Sequence, residues 1–314
     1  MTNPEMAAGA RILVAIPHYV GPPVPGGTLY GSGMPDAAAA RAQALTRTIA
    51  GLRIHLGERQ GRVGWSGPDL PAGLPTVADR THVRIERANA PTLPDRLDIV
   101  VVIVGRRHAL DRVALPASTF EVEETTLDRL GGDPRMLGFA CHEVLAARAA
   151  RYDWACYLED DTVIADPWFL RKIALVERAT EGQGVLLPNR FEADPAGRFQ
   201  KLYVDGPVPV ETTAAWQDIA HQPAIGIRHL GGQAMLERPT NPHAGCFFLT
   251  RRQFARWRAE PHFGRREPLF AGALESAATL GIMRTFRLYK PALENADFLE
   301  AEHLNNREWL TFKR

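Results

Sequence analysis

The chain has 314 residues, of which 45% are hydrophobic and 23% charged, with a formal net charge of +1. This is the composition of an ordinary globular protein with ample core, long enough for one large domain or two smaller ones. The near-neutral balance excludes the broad basic field that nucleic-acid binding requires. Three cysteines, Cys141, Cys156 and Cys246, lack metal-type spacing, and their odd, sparse count suits a reducing compartment. Met1 to Ala10 has no basic-then-apolar leader pattern. No window approaches the ~20 apolar residues of a spanning helix. A cytoplasmic protein with no transmembrane segment is expected, with peripheral membrane contact left open.

Arg11 to Ile16 reads as a strand buried on both faces, stopped at Pro17 and followed by His18 and Tyr19. A Gly/Pro-rich loop follows to Asp36. It is not a P-loop, because no Gly-Lys-Ser/Thr follows it. Asp36 then caps an expected helix to about Gly57, with Leu45, Ile49, Leu52 and Leu56 at helical spacing. Residues 58–96 read as an irregular excursion with one short strand at Val83 to Ile85. Leu97 to Val104 is a second buried strand ending in Gly105, Arg106 and Arg107. Those arginines suit a diphosphate or a solvated loop equally well. Phe120 to Glu123 is a third strand. Asp133 and Pro134 open a helix that runs to about Arg151.

Trp154 to Leu158 is an apolar strand run ending in three consecutive carboxylates, Glu159, Asp160 and Asp161. At the carboxyl end of a buried strand such a cluster sits where open α/β sheets bind ligands. Three adjacent negative charges repel unless a cation compensates them. Mg²⁺ or Mn²⁺ fits, since both prefer carboxylate oxygen and bridge to phosphate. The plainer reading is a charged turn. Asp166-Pro167 starts the next helix, carrying Phe169, Leu170, Ile173 and Val176. The strand–helix alternation predicts a mainly parallel sheet.

The second half differs. Gly184 to Phe191 and Arg198 to Val204 flank the turn Asp194-Pro195-Ala196-Gly197 and predict a hairpin. Residues 205–242 lack periodicity and are expected to be flexible. His243 to Leu249 reads as a strand, Thr250 with Gln253 as a capping box, and Pro268 to Leu280 as a helix closed by Gly281. Arg284 to Tyr289 is a last strand before a tail carrying Glu300, Glu302 and His303.

Taken together, these features resemble a GT-A-fold glycosyltransferase of the family-2 kind. The resemblance spans roughly residues 11–305 and rests on order. A first strand ends in Pro17-His18-Tyr19, and a helix leads into Leu158-Glu159-Asp160-Asp161, which is similar to the family's Asp-x-Asp motif. Leu274-Glu275-Ser276 then starts a helix where the family places its catalytic carboxylate, and His303 falls where many members hold a metal ligand. One departure is Val104-Gly105-Arg106, where the family has an acid for the nucleobase or ribose.

The resemblance implies a single α/β GT-A-like (Rossmann-like) domain over 11–305, between tails at 1–10 and 306–314. Its sheet is mainly parallel and flanked by helices. Residues 11–166 form its nucleotide-sugar half, and 167–305 a smaller, mixed acceptor half. It implies a hexosyl- or N-acetylhexosaminyltransferase that moves a sugar from a nucleotide diphosphate, UDP favoured, to a hydroxyl acceptor with Mn²⁺ or Mg²⁺, with inversion. Pro17, His18, Tyr19, Arg106, Glu159 and Asp160 would serve the donor. Asp161 and His303 would hold the metal, and a histidine ligand favours Mn²⁺. Glu275 would be the general base, taking the acceptor hydroxyl's proton. Its plain alternative is a helix-surface glutamate, and that of His303 is an ordinary tail histidine; Glu300 and Glu302 stand in reserve as bases. His243 and Gly245 suit an acceptor pocket, though a core histidine is equally consistent. Arg190 and Lys290 read more simply as surface charges. Trp216 and Trp257 suit sugar stacking or packing. A sugar-phosphate nucleotidyltransferase shares the sheet and carboxylates but wants Arg or Lys in the first loop, which has none before Arg41. A non-catalytic carbohydrate-binding protein on the same fold is the third reading.

Overall fold

The strand β1 (Ile12–Pro17) lies between two parallel neighbours, and its side chains are buried along its whole length. This is the structural meaning of a continuous apolar run: both faces are covered. The computed structural model describes residues 10–22, 37–57, 60–66, 82–88, 97–229 and 231–304. The Gly/Pro-rich loop, Asp36 and the tail 306–314 lie outside the described residues, as does most of 58–96.

In chain order β1 is followed by α1 (Ala37–His55), β2 (Gly61–Trp65), β3 (Val83–Arg87), β4 (Leu97–Val104) and β5 (Glu121–Thr125). Then come α2 (Leu137–Arg148), β6 (Trp154–Leu158), β7 (Thr162–Val163), α3 (Phe169–Ala179), β8 (Gly184–Leu186), β9 (Asn189–Ala193) and β10 (Lys201–Tyr203). The chain continues through β11 (Ala224–His229), β12 (Gly232–Glu237), β13 (Cys246–Thr250), α4 (Arg251–Arg258), α5 (Ala273–Thr285), β14 (Arg287–Pro291) and β15 (Glu300–His303).

The central sheet has the order β13-β6-β1-β4-β5. Only β13 runs antiparallel to its neighbour. The architecture is therefore α/β with a mostly parallel sheet, and the strands expected at 11–16, 97–104 and 154–158 lie side by side in it. Helix α2 packs across β1, β4 and β6, while α4 and α5 pack against β13. Asp133 caps the turn leading into α2 by accepting from Arg135 N–H at 2.9 Å. Thr250 and Gln253 form the expected capping box on α4.

Several boundaries depart from expectation for identifiable reasons. Leu187-Pro188 splits the run Gly184–Phe191 into β8, which pairs with β14, and β9, which pairs with β10 and β15. Proline has no N–H to continue a ladder. Gly281 does not close α5 but lies within it, where a Cβ would fall 2.6 Å from the Trp257 ring. The helix thus runs on to Thr285, and the following strand starts late, at Arg287. Segment 205–242 is not an unstructured connection. It contains the antiparallel β11–β12 hairpin, and buried Arg238 ties the hairpin's end to the carbonyls of Asp218 and His221. The 58–96 excursion contributes the two-stranded β2–β3 pair.

Two small pairings bring remote chain together. β7, directly after the acidic triplet, pairs with β15, so that His303 stands opposite Thr162. Leu304 N–H then donates to the Asp161 carbonyl at 2.8 Å.

Ile16 is fully buried at the carboxyl half of β1. Ile16→Ala is expected to destabilise the fold by about 2–5 kcal/mol, the range for such cavities in a core. Urea unfolding measures it, and a loss below about 1 kcal/mol would show that β1 is not the packed centre of the sheet.

Candidate functional site

The carboxyl ends of β1 and β6 meet at Glu159, Asp160 and Asp161. Asp160 is 2% exposed, and three groups hold it. His18 Nδ1 lies 2.5 Å from its Oδ2. The Arg41 guanidinium pairs with its other oxygen, and Thr48 Oγ1 donates to its backbone carbonyl at 3.1 Å. His18 has no exposed surface, and its Nε2 accepts the Ala109 N–H at 3.2 Å. With Nε2 accepting, the proton sits on Nδ1 and is donated to Asp160. Burial, then the Arg41 charge, lowers the His18 pKa to about 3. The ring is thus a neutral donor, buried behind Asp160.

Asp161 accepts from Arg41 at 2.7 Å through Oδ2. Its Oδ1 is buried and has no hydrogen-bond partner among the described residues. Burial opposes its charge, but Arg41 and His303 outweigh burial and hold its carboxyl below the usual range. His303 places Nε2 3.9 Å from Asp161 Oδ2 and Nδ1 3.4 Å from Glu192 Oε1. Burial disfavours its protonation, but Glu192 and Asp161 raise its pKa above the ordinary value. The other oxygen of buried Glu192, Oε2, has no hydrogen bond among the described residues.

Glu159 is held by a different set of partners. Burial pushes its pKa up to about 7; Arg190 works against this, while the charges of Asp161 and Glu275 add to it. Its N–H donates to the Gly245 carbonyl at 2.9 Å, and Arg190 stands 3.5 Å from its carboxylate. Gly245 has φ +62°, and a Cβ there would fall 2.6 Å from Glu159 Oε2. Only glycine combines that backbone with that approach. Behind this lies buried Asp205, bonded by Arg190 at 2.7 Å and Lys290 at 3.1 Å. Arg190 and Lys290 are thus not surface charges but partners of one interior carboxylate. Lys290 also donates to the His243 carbonyl. His243 is buried, its Nδ1 3.3 Å from Thr279 Oγ1, and burial with the Arg190 charge holds it neutral.

Glu275 stands in the first turn of α5, where the helix dipole favours a carboxylate. Its Oε2 is buried without a hydrogen-bond partner among the described residues. Buried His142 fixes the helix from below, with Nε2 2.9 Å from the Ala277 carbonyl.

The structure therefore brings His18, Glu159, Asp160, Asp161, Gly245 and His303 to one region, with Glu275 near enough for its charge to act on Glu159 and His243 buried nearby. Pro17 is buried as the last residue of β1. Tyr19 is half-buried beside exposed Arg107, which donates to its hydroxyl at 3.3 Å, and Arg106 is exposed at the end of β4. Trp257 is core, ringed by Phe247, Phe254, Phe263 and His142. Sequence reasoning missed Arg41, Glu192 and Asp205. Glu192 had a signal, because strand alternation puts it on the same face as Arg190. Arg41 had none.

Among the described residues no three His, Cys, Asp or Glu side chains form a metal-holding group. A Mg²⁺ or Mn²⁺ that arrives with substrate phosphates needs only one or two protein ligands. Asp161 Oδ1, which is unpartnered, and His303, with a carboxylate behind its other nitrogen, suit that smaller set. A scan against protein-family models finds no match, and a search of curated proteins finds none.

Two outcomes are expected here. Gly245→Ala should cost about 1–3 kcal/mol from left-handed strain, besides displacing Glu159. Unchanged stability in chemical denaturation would mean that the Glu159 contact is dispensable. Separately, the folded pKa of His18 lies below its unfolded value, so the unfolded chain takes up the proton first. His18 thus contributes stability above about pH 6.5 that is lost as pH falls toward about 3. The slope reaches at most roughly 1.4 kcal/mol per pH unit. His18→Asn should flatten that part of the stability–pH curve, and superimposable curves would contradict a buried neutral imidazole.

Proposed function

We propose that this chain is a glycosyltransferase on a GT-A-like sheet, moving a sugar from a nucleotide diphosphate to a hydroxyl acceptor with a divalent metal. The observation that carries the reading is the set of buried polar atoms around Asp161 that lack hydrogen-bond partners. Asp161 Oδ1, Glu192 Oε2 and Glu275 Oε2 are among them; His303 Nδ1 and Glu192 Oε1 instead face each other at 3.4 Å. Leaving such groups buried and unmade costs about 1–3 kcal/mol each. Sugar hydroxyls are donors and a metal is a cation, so a metal-bound sugar diphosphate would satisfy carboxylates of this kind.

In this reading Asp161 and His303 hold the metal, and Glu192 orients the imidazole. When bound, the metal would neutralise charge on the departing diphosphate. Arg41 sits on the same carboxylates and holds them in place before the donor arrives. Arg106 at the end of β4 is exposed and free to approach the diphosphate, and Tyr19 borders that side. Glu159, with its pKa near neutrality, hydrogen-bonds the donor, while Asp160 works through Arg41. Glu275 takes the proton of the acceptor hydroxyl, and its attack from the face away from the diphosphate would invert the anomeric centre. UDP is the favoured donor nucleotide. Residues 11–166 supply the donor side and 167–305 the acceptor side. The three buried thiols fit a cytoplasmic setting. Among the described residues no helix is long and apolar enough to cross a membrane.

Glu275→Gln is expected to keep donor binding and lower transfer by about a hundred- to ten-thousand-fold, the usual cost of removing a general base. Asp161→Ala should leave the chain folded and abolish metal-dependent nucleotide binding. Transfer assays and calorimetry with UDP and Mn²⁺ measure both. Wild-type turnover in Glu275→Gln would remove the base, and unchanged nucleotide affinity in Asp161→Ala would remove the metal site.

A further inference from the structure

A pocket lies at the far end of α5, away from the acidic centre. Glu275 is in the helix's first turn, whereas Met283, Arg284 and Thr285 help line a cavity of about 360 Å³ at its last. At about 1.5 Å of rise per residue, Thr285 is roughly 15 Å along the axis from Glu275. The chemistry there is opposite to that of the acidic centre. Arg238, Arg256, Arg284 and Arg287 all line the cavity, and Asp218 is the one acidic side chain among the described lining residues.

The arginines are not equally occupied. Arg284 pairs with Glu267 at 2.6 Å, and Arg256 donates to Gln183 at 2.5 Å. Arg238 is only 8% exposed, donates to two backbone carbonyls, and leaves its buried Nε unpartnered. Arg287 makes no side-chain hydrogen bond or ion pair among the described residues, and its Nε is also buried. Burial, with the neighbouring Arg287 charge adding to it, outweighs Tyr289 and Asp218 and holds Arg238 below its ordinary pKa. Buried arginines are ordinarily paired. Here Arg238, which is buried, and Arg287, which is half-buried, lie within electrostatic reach of each other with neither in an ion pair, the one nearby carboxylate, Asp218, acting on Arg238 only at longer range, beside a cavity of ligand size.

A dianion would balance both, and guanidinium forks match phosphate oxygens in pairs. Trp216 lines the same cavity and offers an aromatic wall to the rest of the molecule. We propose that this cavity binds a phosphate-bearing small molecule, its phosphate held by Arg238 and Arg287 and its body against Trp216. The site is separate from the acidic centre and does not depend on the glycosyltransferase reading. Helix α5 and strand β14, which carries Arg287 at one end and Lys290 near the other, join the two regions.

Calorimetry of the full chain at fixed ionic strength tests this, with phenyl phosphate, inorganic phosphate and benzoate as probes. Phenyl phosphate is expected to bind saturably, at least about tenfold more tightly than benzoate. Inorganic phosphate should compete with it. Arg287→Gln should weaken binding by about tenfold or more without lowering stability in the unfolding curve, since that side chain makes no hydrogen bond or ion pair among the described residues and its charge opposes that of Arg238. Arg256→Gln provides a second variant at the same wall, expected to weaken binding in the same direction. Asp161→Ala should leave binding unchanged. Absence of saturable binding up to millimolar phenyl phosphate would overturn the proposal. So would wild-type affinity in both arginine variants, loss of binding in Asp161→Ala, or tighter binding of benzoate.

Discussion

Three consecutive carboxylates at the end of a buried strand must be compensated, and much of the architecture around β6 serves that need. Coulomb repulsion between charges a few ångströms apart is several kcal/mol at the effective dielectric of a protein edge. Arg41 meets it directly by bridging Asp160 and Asp161. His18 meets it by donating a proton without adding charge. Arg190 stands beside Glu159 but is shared with Asp205, which leaves Glu159 the least compensated of the three and its pKa near neutrality. One residue of the triplet is thus locked, one half-engaged and one poised.

The backbone is arranged to the same end. β15 reaches β7 and delivers His303 to Asp161. The left-handed turn at Gly245 lets Glu159 lie against the chain that becomes β13. Helix α5 is fixed by His142 below and Trp257 beside it, and so presents Glu275 from its first turn. These supports come from the core rather than from loops.

Much of the fold was legible because its signals are local. A continuous run such as Leu97–Val104 can hardly be anything but a buried strand, and Asp133-Pro134 and Thr250–Gln253 announce their helices by capping chemistry. The placing of the acidic triplet at the end of a buried strand was readable on the same terms. Arg41 was not, because nothing in an amphipathic helix says that one arginine will meet a carboxylate 120 positions later. Asp205 was hidden for a similar reason, since its partners Arg190 and Lys290 are 15 and 85 positions away. The end of α5 was misplaced because Gly281 looks like a stop, whereas here it makes room for an indole. The β11–β12 hairpin was missed because its exposed strand surfaces carry no clean alternation.

The central claim is that Asp161 and His303 complete a metal site only when a nucleotide diphosphate supplies further ligands. The most direct measurement is a Mn²⁺ titration followed by the free-ion EPR signal, with protein alone, UDP alone, and both together. The account predicts little binding by protein alone and saturable loss of signal, beyond that caused by UDP, at one Mn²⁺ per chain in the mixture. A mixture that behaves as the sum of its parts would contradict it.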